Sequence, residues 1–205
     1  LILKFCSDVL FVSVFMIAGD GLRIIGGSLK GRKLHSPDGQ ATRPTLDKVR
    51  GAVFNSLYDV SEASVLDLFG GSGAMAIEAL SRGAASAVIA DFSPKACDII
   101  KKNVMNFGLS QRVEVRCCDF RQALRPGESY DLILLDPPYC KNLLLESMDL
   151  IIKLGALKER GMIVAEPSSS EPEICDFPAL DVIKTKTYGT AQIWFYRVNY
   201  GIKNI

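Results

Sequence analysis

Short apolar runs alternate with longer amphipathic segments along the chain from residue 65 onward. This alternation is typical of βαβ units, in which buried parallel strands read as continuous apolar runs. It predicts an α/β fold with a doubly wound, mainly parallel sheet. The predicted strands are Val65–Phe69, Ala87–Asp91, Val113–Cys117, Tyr130–Asp136 and Met162–Glu166.

Helical spacing of apolar residues marks the segments between and before these strands. Ser93 followed by Pro94 is a favourable helix start, because serine caps a helix and proline is tolerated in its first turn. Thr45 is the predicted cap of the helix that precedes the sheet. The predicted helices are Thr45–Tyr58, Ala74–Arg82, Pro94–Phe107 and Leu143–Leu154.

The end of the chain has the pattern of a β-hairpin. Two β-rich runs, Asp181–Thr187 and Ala191–Val198, flank the turn Tyr188-Gly189-Thr190. A hairpin after parallel strands predicts an antiparallel strand at the end of the strand order.

The apolar run Val9–Ala18 has only ten residues, about half of the ~20 that a transmembrane helix needs. Its loose likeness to a secretory signal leaves that alternative open. The first methionine is Met16, and we expect residues 1–20 to be an extension that adds little to the fold. Residues 21–205 are then expected to form one domain, as the length of 205 residues suggests.

Charge is balanced overall but uneven along the chain. Twenty-four Lys and Arg and 23 Asp and Glu give a net charge of +1, which excludes a polyanion binder by bulk charge. Residues 21–50 hold seven basic and two acidic residues and therefore carry +5, against −4 for the remainder. Residues 21–44, here called the basic arm, either form a solvated surface or contact phosphate groups.

Metal and disulfide chemistry have little support. The six cysteines show no C-x-x-C spacing, and His35 is the only histidine. We therefore predict no metal site. Scattered thiols in a chain of this size are typical of the reducing cytoplasm.

The first chemical motif is the run VLDLFGGSG at residues 65–73, a strand that leads through a glycine loop into a helix. Gly70, Gly71 and Gly73 allow a sharp turn and let a ligand approach main-chain amides at a helix N-terminus. Asp91 at the end of the next strand can accept both hydroxyls of an adenosine ribose. These features suit nicotinamide and S-adenosylmethionine cofactors alike.

The second motif, Asp136-Pro137-Pro138-Tyr139, follows the strongest predicted strand. Ligands of open α/β sheets bind at the carboxyl ends of strands. Two prolines stiffen the backbone beside the Asp136 carboxylate, and Tyr139 offers a stacking face. The set suits a planar ring with an exocyclic amine, whose hydrogens Asp136 and the Pro137 carbonyl would accept.

Several strings together resemble one known family. From about Leu22 to Arg197 the chain is similar to the bacterial 16S rRNA (guanine-N2)-methyltransferases of the RsmD type. The glycine loop and DPPY are shared by many amino-methyltransferases, whereas the amino-terminal strings are more specific. The strings are RIIGGSLKGRKL at residues 23–34, ATRPT at 41–45, VR at 49–50, FNSL at 54–57, VLDLFGGSG, EALSRGA and DLILLDPPY.

The resemblance implies a class I S-adenosylmethionine-dependent fold, Rossmann-like, with seven strands. It also implies a substrate in small-subunit ribosomal RNA or the assembling small subunit, a monomeric state and no membrane. Asp91 would bind the ribose and Asp119 the adenine amine. The implied site residues are Asp67, Gly71, Gly73, Asp91, Phe92 and Asp119 for the cofactor, Asp136, Pro137, Pro138 and Tyr139 for catalysis, and Lys30, Arg32, Lys33 and Arg43 for RNA.

Two departures from the family pattern lie near these residues. Asp91 stands where glutamate is usual, and Gly51 interrupts a helix where the family tends to have a helix former. The alternatives to an rRNA methyltransferase are a nicotinamide oxidoreductase, a non-catalytic RNA-binding module, a DNA adenine-N6 enzyme and a protein glutamine-N5 enzyme. Only a methyltransferase on rRNA uses the glycine loop, Asp91, DPPY and the basic arm together.

Overall fold

The computed structural model describes residues 21–36, 44–57, 59–138, 142–167, 177–189 and 191–199, with the backbone alone for residues 44–46. The predicted extension at residues 1–20 therefore lies outside the described residues. So do Arg43 and Tyr139.

Seven strands form one sheet in the order β3-β2-β1-β4-β5-β7-β6. The pairs from β3 to β5 are parallel, and β7 runs antiparallel to both of its neighbours. The predicted doubly wound, mainly parallel sheet is confirmed. The strands are β1 (Ser64–Asp67), β2 (Ser86–Asp91), β3 (Val113–Cys117), β4 (Tyr130–Leu135), β5 (Leu157–Ala165), β6 (Leu180–Tyr188) and β7 (Ala191–Val198).

Two details of the predicted sheet were wrong. The antiparallel strand is not at the end of the strand order, because β7 lies between β5 and β6 and leaves β6 at the edge. The fifth strand begins at Leu157, five residues before the predicted start at Met162. Its first half, Leu157–Arg160, is mostly exposed and polar and so lacks the continuous apolar pattern of a buried strand.

The helices follow the predicted segments, with corrections at the first one. It begins at Pro44, so Thr45 is its second residue and not its cap. Ser93 does cap the helix that starts at Pro94, where its hydroxyl accepts a hydrogen bond from the Ala96 amide. The helices are α1 (Pro44–Phe54), α2 (Ala74–Ser81), α3 (Pro94–Asn106), the unpredicted short α4 (Phe120–Ala123) and α5 (Leu143–Leu154).

The core has two layers of apolar side chains, one on each side of the sheet. One layer joins the sheet to α1, α2 and α3, and the other joins it to α4 and α5. Leu22, Ile24 and Leu34 of the basic arm are buried in the first layer. Residues 21–36 of the arm are therefore part of the folded domain rather than an appendage. No helix within the described ranges is long and apolar enough to cross a membrane.

The arm folds as a short hairpin on α2. Arg23 and Lys33 form an antiparallel bridge around a 3-10 turn at Gly27–Leu29. The fully buried Glu78 carboxylate of α2 accepts hydrogen bonds from the amides of Ile25 and Gly26, both at 2.8 Å. A carboxylate that accepts two backbone amides forms strong, charge-assisted hydrogen bonds. The RIIGG string thus docks the arm.

The contact between α1 and the arm explains why glycine stands at position 51. It is buried, and a Cβ at this position would lie 3.3 Å from the Ile25 side chain. A larger side chain there would push α1 away from the arm. The helix accepts the lower propensity of glycine, a cost of up to about 1 kcal/mol, at a point of close packing.

Candidate active site

The carboxyl ends of β1, β2, β3 and β4 meet at one edge of the sheet, where they open into a cavity of about 240 Å³. Parallel strands carry their following loops to the same edge, so residues far apart in sequence become neighbours. Five predicted site residues share this cavity. It is lined by Leu68, Phe69, Asp91, Phe92, Ser93, Asp119, Phe120, Asp136, Pro138 and Leu143.

The glycine loop turns tightly between β1 and α2. Gly71 and Gly73 have φ angles of 56° and 79°, a region that favours glycine. A Cβ at Gly70 would overlap the Ile89 side chain of β2. The sequence therefore needs glycine here for both conformation and space, and the loop can bring backbone amides close to a bound ligand.

Asp91 is buried at the end of β2 and is tied to this loop. Its Oδ2 accepts a hydrogen bond from the Gly71 amide at 2.8 Å, and its Oδ1 accepts one from the Ser93 amide at 2.8 Å. Burial raises the pKa of the Asp91 carboxyl, and the two backbone hydrogen bonds act in the opposite direction. A carboxylate has about four acceptor positions, so Asp91 can also accept ribose hydroxyls.

Asp67 lies deeper than the main cavity. It lines a small adjoining space of about 10 Å³ together with Asp136 and Met75. Burial raises the pKa of Asp67 to about 7, against a smaller lowering by the hydrogen bond from the Phe69 amide at 3.4 Å. Asp67 thus lines an adjoining space that shares Phe69 and Asp136 with the main cavity.

Asp119 and Phe92 are the exposed members of the site. Asp119 caps α4, where its Oδ1 accepts a hydrogen bond from the Arg121 amide at 2.9 Å, and it forms an ion pair with the Arg121 guanidinium at 3.0 Å. Phe92 is 67% exposed at the rim of the cavity. Both are placed where they can contact the base of a bound nucleoside, an edge with Asp119 and a face with Phe92.

Sequence reasoning missed the apolar wall of the cavity. Phe69 and Phe120 pack with their ring centroids 5.6 Å apart, and both line the cavity beside Leu68 and Leu143. Phe120 follows Asp119 directly, so its place after a predicted strand end was a usable signal. The wall keeps one side of the site apolar, as a planar aromatic ligand requires.

Asp136, Pro137 and Pro138 follow β4 directly, as predicted. Asp136 and Pro137 are buried and Pro138 is half-buried, and Asp136 and Pro138 face the cavity that Asp91 and Asp119 also line. The fourth predicted catalytic residue, Tyr139, lies outside the described residues. The DPP segment and the candidate cofactor residues therefore share one site.

The described members of the predicted RNA-binding set lie on the basic arm and not in the cavity. Lys30, Arg32 and Lys33 are all exposed. The Arg32 guanidinium stacks over the Phe107 ring at 4.5 Å from its centroid and donates a hydrogen bond to the Asn106 carbonyl at 2.7 Å. Arg32 is therefore partly occupied in holding the arm on α3, whereas Lys30 and Lys33 are oriented to solvent.

The net charge of +5 over residues 21–50 overstates the charge that this segment presents at the surface. Arg50 is only 2% exposed and pairs with Glu78 at 3.5 Å and Asp47 at 2.9 Å. It also donates a hydrogen bond to the Arg23 carbonyl. Arg50 is thus an internal link between α1, α2 and the arm. Among the described residues, no three His, Cys, Asp or Glu side chains are grouped so as to hold a metal ion.

The donor and acceptor set fits S-adenosylmethionine. The glycine loop leaves room that a Cβ would fill, the buried Asp91 carboxylate suits a diol, and the apolar wall with Asp119 suits an adenine ring. When bound, this cofactor supplies a methyl group activated by its attachment to a positively charged sulfur.

Comparisons with known proteins agree with this geometry. A family model described as "Conserved hypothetical protein 95" matches residues 22–197. The chain is 36% identical over 183 residues to YlbH of Bacillus subtilis, covering 86% of this chain and 98% of that protein. It is 36% identical over 151 residues to the ribosomal RNA small subunit methyltransferase D of Escherichia coli K12, covering 73% of this chain and 76% of that protein.

The fold agrees with a solved structure as well. The structure of yhhF from Escherichia coli superposes with a TM-score of 0.78 at 29% identity, covering 87% of this chain and 98% of that one. The family-model match spans the arm, the glycine loop and the DPPY segment alike. The chain belongs to the family of the ribosomal RNA small subunit methyltransferase D proteins, which are class I S-adenosylmethionine-dependent methyltransferases.

Proposed function

We propose that this protein transfers the methyl group of S-adenosylmethionine to the exocyclic N2 amine of a guanine in small-subunit ribosomal RNA. The observation that carries the proposal is the shared cavity, in which Asp136 and Pro138 lie beside Asp91 and Asp119. A carboxylate that can accept a hydrogen bond from an amine thus lies next to the groups that suit an adenosine. We propose guanine 966 as the target guanine, as the resemblance to the 16S rRNA (guanine-N2)-methyltransferases implies.

The residues that hold the cofactor are the loop Gly70–Gly73, Asp91, Phe92 and Asp119. The backbone of the loop accommodates the amino-acid end, because its glycines leave space for close approach. Asp91 accepts the ribose hydroxyls, Asp119 accepts the adenine amine, and Phe92 covers the ring. Asp67 lines a small space together with Gly70 and supports the start of the loop through the hydrogen bond that it accepts from the Phe69 amide.

Asp136 and Pro137 act on the nucleophile. The carboxylate of Asp136 accepts one hydrogen from the guanine amine, and the Pro137 carbonyl accepts the other, which aims the nitrogen lone pair at the methyl group. As the new C–N bond forms, the bond between the methyl group and sulfur breaks, the nitrogen becomes positively charged, and it then loses a proton to solvent. A buried, preorganised carboxylate stabilises that charge more than water does.

The rival readings use fewer of these features. The doubly wound order of many nicotinamide enzymes is 3-2-1-4-5-6, whereas here the antiparallel β7 separates β5 from the edge strand β6. A DNA adenine-N6 enzyme needs additional chain to read a groove. A protein glutamine-N5 enzyme has no need of a basic arm. A guanine amine in RNA must leave its pairing and stacking to react, which an open cavity with an aromatic rim permits.

A transfer assay across substrate classes tests the proposal. The full chain is incubated with S-adenosylmethionine labelled in its methyl group and, separately, with small ribosomal subunits, naked small-subunit RNA, duplex DNA and a release factor. We expect label in ribosomal RNA alone, and the comparison of subunits with naked RNA identifies the preferred form. Label in DNA would contradict the proposal in favour of a DNA adenine-N6 enzyme, and label in the release factor would contradict it in favour of a protein glutamine-N5 enzyme.

We further propose that the protein works in the cytoplasm as a monomer, since its proposed substrate is a cytoplasmic particle and the cavity is lined by residues of one chain. Sedimentation at micromolar concentration checks this statement. A stable dimer would contradict the proposed monomeric state.

A further inference from the structure

A single buried side chain, Asn103 of α3, connects the basic arm to the glycine loop. It is 0% exposed. Its Nδ2 donates hydrogen bonds to the carbonyl of His35 in the arm and to the carbonyl of Ser72 in the loop, both at 2.9 Å. Its Oδ1 accepts a hydrogen bond from the His35 amide at 2.7 Å.

Both ends of this connection lie next to groups with assigned roles. Ser72 stands between Gly71, whose amide binds Asp91, and Gly73, which precedes α2. His35 lies two residues after Lys33 and directly before the part of the chain that leads to Arg43. The path from the cofactor residue Asp91 to the arm thus runs through Gly71, Ser72 and Asn103.

The amide of Asn103 uses both of its hydrogens and its oxygen in these three bonds. A buried polar group is expensive to leave unsatisfied, by roughly 1–3 kcal/mol. The loop carbonyl and the arm backbone therefore cannot move independently without a cost to Asn103. A ligand that fixes one of them restricts the other, and such coupling is reciprocal between two ligands.

We propose that Asn103 is a positioning residue that couples cofactor binding at the glycine loop to the conformation of the basic arm, so that the cofactor-bound protein presents the arm for RNA. This inference rests on the proposed function for its RNA part, but its loop-to-arm part is independent of the substrate. The coupled element is the backbone at His35, which Asn103 holds through both its amide and its carbonyl.

Asn106 provides a matched control. It lies one turn further along α3, and its Nδ2 contacts the Nε2 atom of the same His35 at 2.8 Å. It is exposed, and no bond from its side chain to the glycine loop is present among the described contacts. Asn103→Leu removes the loop-to-arm connection at nearly constant volume, whereas Asn106→Leu removes an arm contact alone.

The first test uses hydrogen exchange without RNA. Backbone amide exchange of residues 31–36 is measured with and without saturating S-adenosylhomocysteine, the demethylated cofactor. In the wild type and in Asn106→Leu, we expect the ligand to slow exchange at the His35 amide by about fivefold or more, the lower end of usual coupling strengths. In Asn103→Leu the ligand should leave exchange there unchanged.

The second test uses RNA affinity. The Kd for small-subunit RNA, measured with and without S-adenosylhomocysteine, should differ by about fivefold or more in the wild type and in Asn106→Leu. The ratio should fall to about 1 in Asn103→Leu, an effect that loss of stability alone would not produce. Equal ratios in the wild type and Asn103→Leu would overturn the proposal.

The outcomes separate this proposal from the function itself. If exchange near His35 responds to the ligand but the protein methylates no RNA, the coupling stands and the proposed substrate fails. If RNA is methylated and the wild-type exchange ignores the ligand, the coupling fails alone. Even if Asn103→Leu does not fold, the wild-type exchange experiment can overturn the proposal, because exchange at His35 that ignores the ligand would mean that no coupling exists.

Discussion

At the scale of single residues, the site depends on carboxylates that differ in burial. Asp67, Asp91 and Asp136 are buried at the carboxyl ends of three strands, whereas Asp119 is exposed and paired with Arg121. Burial favours the neutral form of a carboxyl and is opposed by hydrogen bonds from backbone amides. The same residue type thus occurs in two environments at one edge of the sheet, buried in the interior and exposed at the rim.

Replacement of Asp136 by alanine should separate chemistry from cofactor binding. In the proposed function Asp136 contacts the amine and not the adenosine, so the affinity for S-adenosylmethionine should stay close to that of the wild type. Loss of one preorganised acceptor costs roughly 10²–10³ in rate. Single-turnover transfer and calorimetry measure the two quantities, and near-normal turnover would mean that another group holds the amine.

Asp67 should make the stability of the ligand-free protein depend on pH. Its pKa is raised to about 7 in the folded protein by burial, from an ordinary value of 3.8. The folded state then binds more protons than the unfolded state between these values, so this residue lowers the unfolding free energy as pH rises from about 4 to about 7.

The variant Asp67→Asn removes that dependence. Denaturant unfolding at pH 5 and pH 8 should show the wild type losing stability relative to Asp67→Asn as the pH increases. A constant difference between the two proteins across this range would show that Asp67 is ionised throughout.

At the scale of elements, the arm is held by a buried charge network on α2. Glu78 accepts hydrogen bonds from Ile25, Gly26 and Arg82 and lies 3.5 Å from Arg50. Gly27 adopts a φ of 75° above Ser81, whose carbonyl a Cβ at Gly27 would overlap. The contact between the arm and α2 therefore requires both a glycine at position 27 and the Glu78 carboxylate.

Glu78→Gln should destabilise the protein strongly, because an amide cannot accept at both of the positions where the carboxylate now accepts the Ile25 and Gly26 amides, and because it removes the negative charge next to Arg82. Removal of one member of a buried ion pair costs about 3–5 kcal/mol. Asp98→Asn is the control. Asp98 is exposed and forms a long ion pair with Lys101, at 4.0 Å, and exposed pairs contribute about 0–1 kcal/mol. Thermal unfolding of both variants measures the difference, and equal Tm values would show that Glu78 is dispensable.

The elements were largely predictable where the apolar pattern decides them. β4 is buried along nearly its whole length, and the run YDLILLD indicates it clearly. The exposed start of β5, the four-residue α4 and the position of β7 were not predictable, since each is set by pairing with distant residues. The glycine loop, Asp91 and DPP were found because their residue types are required locally.

Other parts of the site depend on contacts that the sequence does not display. Asn103 reads as one polar residue on an amphipathic helix, and Arg50 reads as one basic charge among seven. Only the packing of α3 and α1 against the arm shows that Asn103 joins two segments and that Arg50 is internal. Roles of this kind arise from long-range contacts rather than from local spacing.

At the scale of the whole molecule, lysines lie in two separate regions, the basic arm and the edge strand β6. Lys30 and Lys33 lie exposed on the arm beside α2 and α3, and β6 lies at the opposite end of the sheet from β3. Contact of the arm with RNA phosphates would release counterions and make affinity depend on salt. If the lysines only form a solvated surface, they would not affect how RNA affinity depends on salt.

The paired variant Lys30→Ala and Lys33→Ala should flatten the dependence of RNA affinity on salt. Each phosphate contact on single-stranded RNA contributes a log-log slope of about −0.7, so the slope should change by up to about 1.4. Lys184→Ala with Lys186→Ala, on the far edge strand, is the control and should leave the slope unchanged. If both pairs behave alike, the arm does not contact the RNA backbone.

The central claim concerns which atom receives the methyl group. The most direct measurement is mass spectrometry of the nucleosides from small ribosomal subunits after incubation with the wild type and with Asp136→Ala, each with S-adenosylmethionine. We expect N2-methylguanosine to increase with the wild type and to stay near background with Asp136→Ala. A different methylated nucleoside, or equal product from both proteins, would contradict the assignment of Asp136 to a guanine amine.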